Sequence, residues 1–135
     1  MRIEAIGGPA AFADWLGAEP FIARSIRRGK SQGASAEVGA YVLAGRDLLW
    51  TVKDGATIVA AAVTQTLTNA PGVRECLTAE MGGEHFAAWG MAALRTIESY
   101  ADKIGCKAVT FAGRKGWRRL LPEYAYVNGW YERAL

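Results

Sequence analysis

His85 is the single histidine of the chain, placed just after Gly82-Gly83 and just before the longest helical pattern, "FAAWGMAALRTIESYADKIG". The first N–H groups of a helix have no intrahelical partner, and the aligned peptide dipoles add partial positive charge there. A glycine-containing turn at such a point is where many proteins hold phosphate. An imidazole beside it could touch that phosphate or take a proton near neutral pH. The competing reading of His85 is a polar residue that starts a helix, and a lone titratable group favours that simpler reading. Glu80 and Glu84 flank the same junction. Acids near a helix start stabilise it through the dipole. They also repel a pyrophosphate, which counts against an anionic ligand.

Arg114, Lys115, Arg118 and Arg119 form the densest basic cluster. On a helix their i,i+4 pairs spread the charge over a broad face. Such a face could meet cofactor phosphates, an acidic protein surface or, with Trp117 interleaved for base stacking, nucleic acid. The simpler reading is a solvated helix face with Trp117 packed inward beside Leu120 and Leu121. A second basic stretch holds Arg24, Arg27, Arg28 and Lys30, and the net charge of +3 permits an acidic partner without demanding one. Cys76 and Cys106, with one histidine, have no metal-ligand spacing, so no metal site is expected. Both read as buried free thiols in a reducing cytoplasm. "MRIEAI" lacks the apolar stretch of a secretory leader, and no 18 apolar residues run together, so no membrane partner is expected.

These residues need elements to hold them. At 135 residues and 51% hydrophobic, the chain reads as one globular domain spanning 1–135, without internal repeats. "MRIEAI" alternates as a strand. "PAAFADWLGA" places Phe12, Trp15 and Leu16 on one helical face, Glu19-Pro20 interrupts it, and "FIARSIRRGK" reads as a second short helix. "SQGASAEVGA" reads as a loop or a poorly formed turn of helix. "YVLAG", "DLLWTVKDG" and "ATIVAAAVTQTLT" are strand candidates, with Asp54-Gly55 as a hairpin signal. Pro71-Gly72 supplies the next turn, and "RECLTAEM" a further strand. In the long helix Phe86, Trp89, Ala93, Ile97, Tyr100, Ala101 and Ile104 share a stripe, and Gly105 sits where a C′ residue belongs. "CKAVTFAG" is then a strand reached by a crossover. "RKGWRRLLPEY" reads as a short helix, and "YVNGWYERAL" as a strand or hairpin turning at Asn128-Gly129. The sum is an α+β domain whose central sheet is mixed, mostly antiparallel, and flanked by helices.

That order resembles the GNAT superfamily of acyl-CoA-dependent N-acetyltransferases. Its members typically carry a strand, a Gln/Arg-x-x-Gly-x-Gly/Ala loop, and a helix reading Leu-Leu-x-x-hydrophobic-Glu-x-x-Ala. "AALRTIESYA" is similar to that helix, with Ala93-Leu94, Ile97-Glu98 and Ala101 in register. The resemblance therefore sets the pyrophosphate loop at "HFAAWG", with His85, Ala88 and Gly90 at its marked positions and Arg114 available to the phosphates of acetyl-CoA. His85 stands where Gln or Arg is usual, and Ala88 replaces the first glycine, whose missing Cβ lets the backbone approach the phosphates. "LLPEYAY" resembles the family's Leu-Tyr-x-x-hydrophobic-Gly-Phe run. Leu121 falls where a tyrosine often protonates the leaving thiolate, and leucine has no proton to give. Tyr124 is the nearest phenol, and Glu80, or Glu75, is the carboxylate that could serve as base if the site works.

"GRKGWRRLLPEYAY" further resembles short GNAT-like proteins of phages and prophages, some of them virion-associated. The resemblance thus implies a catalytically degenerate GNAT-fold protein acting through contacts with other proteins, among them phage virion components. The alternative is an active acetyl-CoA-dependent N-acetyltransferase. A nucleic-acid-binding module using the basic 114–119 helix is the third reading.

Overall fold

The computed structural model describes residues 1–29, 33–69 and 71–135. Its elements are β1 (Arg2–Ile6), α1 (Phe12–Arg28), α2 (Ser35–Leu43), β2 (Leu48–Asp54), β3 (Thr57–Thr68), β4 (Arg74–Gly83), α3 (Phe86–Lys103), β5 (Ala108–Ala112), β6 (Ala125–Val127) and β7 (Trp130–Ala134). One seven-stranded sheet runs in the order β1-β2-β3-β4-β5-β7-β6. Neighbours are antiparallel except β4 and β5, which are parallel because α3 crosses between them. Gly55, at φ 63°, opens the two-residue turn from β2 to β3, where Asp54 faces Thr57. Asn128 and Gly129, at φ 51° and 86°, both take the left-handed conformation that a tight β6–β7 hairpin requires.

Side chains of the central strands alternate between two helical layers. Leu49, Ala61 and Val63 face α1 and α2, with Trp15, Ile22 and Val42. Trp50, Val52, Ala60 and Ala62 face α3, with Trp89, Ala93, Ile97 and Ala101. Ile97 and Ile22 are fully buried, and each such side chain contributes about 1.5–3 kcal/mol by leaving water. Trp89 lies in this core, as its helical spacing predicts. Among the described residues, no helix is long and apolar enough to cross a membrane.

Three local expectations are corrected. The two short helices around Glu19-Pro20 are one helix, with Pro20 in its interior. Pro20 has no N–H for the carbonyl of Leu16, and Leu16 is exposed, so water can satisfy that carbonyl. Helix α2 gives "SQGASAEVGA" the second of its two readings, a helix, from Ser35 on, and takes in the start of the expected "YVLAG" strand. Gly39 lets α2 approach α1 closely, since a Cβ there would fall 2.6–2.8 Å from the Trp15 indole. Lys30, Ser31 and Gln32 of these readings lie outside the described residues. The basic cluster at 114–119 is a short 3-10 turn, Lys115–Arg119, not an α-helix. In it residues three apart eclipse one another, so the expected i,i+4 face does not form.

Candidate functional site

The sequence's double glycine turns out to be a packing device. A Cβ on Gly82 would sit 2.4 Å from the Phe21 carbonyl oxygen, and one on Gly83 2.4 Å from the Ala60 Cβ. These glycines let α1 and β3 close on the end of β4. His85 follows as the N-cap of α3 in the left-handed conformation, φ 57° and ψ 48°, and its side chain caps nothing. Glu84 is exposed and pairs with Arg24 of α1 at 3.9 Å, so the acid that would repel an anion has a cation beside it. Trp89 Nε1 donates to the Glu84 carbonyl at 2.6 Å, and the Ala88 N–H donates to the His85 carbonyl at 2.8 Å. His85, Glu84, Ala88 and Gly90 are thus gathered around one helix start.

Gly90 is filled from within. An added Cβ would lie 2.3 Å from the Phe86 ring, which packs over residue 90. The same ring meets Trp89 edge-on at 5.2 Å and stacks on Trp117 at 5.5 Å with an 18° interplanar angle. The stack joins the start of α3 to the β5–β6 connection. Against the pyrophosphate implied by the resemblance, the residues present therefore do not make an open cradle. The Phe86 ring takes the space that a side chain at residue 90 would need, and Gly90 and Phe86 together line one side of a cleft.

A bulge in β4 shapes the rest. Val63 faces Glu80 while Thr64 faces Thr78, so Ala79 is an extra residue. Plain alternation would put Glu80 on the face of Cys76; the bulge turns it to the α1 side. There Ser25 Oγ donates to Glu80 Oε1 at 2.8 Å and accepts the Met81 N–H at 3.2 Å. Pairing of β4 with β5 ends at Thr78 and Phe111, although β4 continues to Gly83. Two clefts open at this parting. One, of about 130 Å³, lies between α3 and the 3-10 turn and is lined by Met81, Phe86, Leu94, Trp117, Leu120 and Leu121. The other, of about 410 Å³, is lined by Glu37, Tyr41, Asp47, Gln65 and Trp130. Thr78, Ala79, Glu80 and Ala112 line both.

Tyr124 is placed elsewhere. It is buried beside Phe111, Leu121 and Tyr131, and its hydroxyl donates to Glu98 of α3. Burial, and then the Glu98 bond, raise its pKa above the usual phenol range. Glu98 is also held by Arg95 and Arg133, each at 2.8 Å. Leu121 lines the first cleft in the place the resemblance gives to a tyrosine. Arg114 is exposed at the entry to the 3-10 turn, where its carbonyl accepts the Tyr131 hydroxyl. Cys76 and Cys106 are free and buried, and burial, with Cys106 next in effect, pushes the Cys76 thiol up to about 12. Sequence reasoning missed Ser25 and the plugging role of Phe86. Ser25 had no signal, whereas Phe86 stands four residues before Gly90, a spacing that makes the two neighbours on one helix face.

Neither a protein-family model nor a curated protein matches this sequence. Solved structures do match by shape. Tetrahymena GCN5 is 7% identical, with a TM-score of 0.72 over 99% of this chain and 96% of that one. A GNAT family acetyltransferase from Brucella melitensis, in complex with acetyl-CoA, is 10% identical, with a TM-score of 0.72 over 99% of this chain and 88% of that one. An aminoglycoside acetyltransferase from an uncultured soil metagenomic sample, in complex with sisomicin, is 10% identical, with a TM-score of 0.67 over 90% and 82%. The fold is that of the GNAT acetyltransferases. At these identities the likeness carries the fold alone.

Proposed function

We propose that this chain is a catalytically degenerate GNAT-fold protein that works by contacting other proteins. The observation that carries the reading is the Phe86 ring, seated over Gly90 and stacked on Trp117. Acyl transfer needs the thioester held with its reacting carbon beside the attacking amine. A ring closing the approach from the helix start works against that. Ala88 at the first glycine position and Leu121 at the tyrosine position argue in the same direction. The phage and virion setting rests on the resemblance of "GRKGWRRLLPEYAY", and capsid or portal genes beside its own gene are the check. The biochemical test is release of free thiol from acetyl-CoA with a panel of primary amines. The expected result is no release above the uncatalysed rate. Turnover that disappears in Glu80→Gln would overturn the proposal.

The second reading, an active N-acetyltransferase, is favoured by one observation. The two clefts share Thr78, Ala79, Glu80 and Ala112, so a donor in one and an amine in the other would meet at the bulge. Glu80, buried and bonded to Ser25, is the base that geometry offers. The Thr78 hydroxyl is buried there without a hydrogen-bond partner among the described residues. In this reading the amine enters by the larger cleft, beside Asp47 and Trp130.

A further inference from the structure

We infer that the cleft between α3 and the 3-10 turn is a docking groove for an acidic, amphipathic segment of a partner protein. This rests on the reading that the chain acts through protein contacts. The floor and lip of the groove are apolar: Phe86, Trp117 and Leu121 lie within, while Met91 and Leu120 are 36% and 59% exposed. An exposed leucine beside an exposed methionine at the edge of a concave surface is a seat for an apolar anchor.

Two basic arms flank this seat. On α1, Ser25 and Gly29 line the groove. Arg24 reaches Glu84 at the start of α3, and Arg27 and Arg28 lie one turn further along that side of the helix, both exposed. On the other side Arg114, Lys115 and Arg119 are exposed around the 3-10 turn. Arg114, Trp117 and Leu120 are three apart, which sets them on one edge of that turn. Arg118 is used differently, lying over the Tyr126 ring at 5.6 Å. The acid among the residues lining the groove is Glu80, buried and bonded to Ser25, while Glu84 at the start of α3 is already paired with Arg24. An apolar seat between two arginine-rich arms is complementary to a segment that offers leucine or phenylalanine on one face and carboxylates on both flanks.

The test titrates the full chain with a synthetic peptide of glutamates carrying leucines at helical spacing and one phenylalanine, followed by fluorescence anisotropy. Binding should weaken as salt rises. Leu120→Asp and the pair Arg28→Glu with Arg114→Glu should each weaken it by about tenfold or more. All three positions are exposed, so the variants keep the fold, and circular dichroism checks that. A peptide with lysine in place of glutamate should not bind. Equal binding of both peptides, or binding unchanged in the variants, overturns the inference. So does no binding of the acidic peptide, or preference for single-stranded DNA, which would assign the arms to nucleic acid. Acetyl-CoA turnover is measured separately, so loss of the silent reading and loss of this groove are distinct results.

Discussion

A Cβ at residue 90 would come 2.3 Å from the Phe86 ring, so Gly90→Ala must push that ring off its seat and off Trp117. Overpacking of this kind costs about 1–3 kcal/mol, read in urea denaturation. Phe86→Ala removes a half-buried ring and should cost about 2 kcal/mol or more. The two changes act on one contact, so the double variant should be more stable than their sum predicts, by about 1 kcal/mol. Strict additivity would mean that Gly90 has some other reason to be glycine. His85 is read differently: it holds φ 57° on an exposed helix start with no capping bond. His85→Gly relieves that conformation and should leave stability within about 1 kcal/mol of the parent. The sequence led to His85 because its type is chemical. The plug was hidden because phenylalanine on a helical stripe reads as core, and only the ring's direction distinguishes the two.

At the scale of elements, legibility followed periodicity. Strands β1 to β5 and helix α3 announce themselves by alternation, by the hairpin pair Asp54-Gly55, and by Gly105, which takes φ 84° after α3. Helix α1 is hidden by Pro20, which reads as a breaker, and α2 by its small polar start and the apolar "YVL" that reads as strand, while tertiary packing overrides both signals. Pro20→Ala restores an N–H that can bond the Leu16 carbonyl and should raise stability by about 1 kcal/mol, measured as thermal midpoint. A loss on this substitution would mean that the proline sets a bend that α1 needs. Gly39→Ala, by contrast, forces a methyl into the Trp15 indole and should destabilise by about 1–3 kcal/mol. The β4 bulge was illegible. Nothing in "LTAEM" marks Ala79 as an extra residue, yet it decides which layer Glu80 faces.

Across the whole molecule, burial between the sheet and its helical layers makes raised ionisations visible in stability. Cys76 lies between β4 and α3 with its thiol pushed up to about 12 from an ordinary 9.0, mainly by burial. A raised folded pKa adds stability that is complete below the unfolded value and is lost as pH climbs toward the folded one. Urea midpoints should therefore fall between about pH 9 and pH 12, and Cys76→Ala should flatten that decline. Tyr124, raised in the same direction, loses stability over the phenol range instead. The mixed sheet, the crossover and the residues around the helix start could be read from the sequence. Whether that helix start is open could not, because it depends on a stack between Phe86 and Trp117, which lie far apart in the chain. Calorimetric titration of the protein with millimolar acetyl-CoA asks this most directly. A closed helix start gives no binding heat and an unchanged thermal midpoint for the parent chain. Saturable binding that raises the midpoint by several degrees, as preferential binding to the folded state requires, would contradict it.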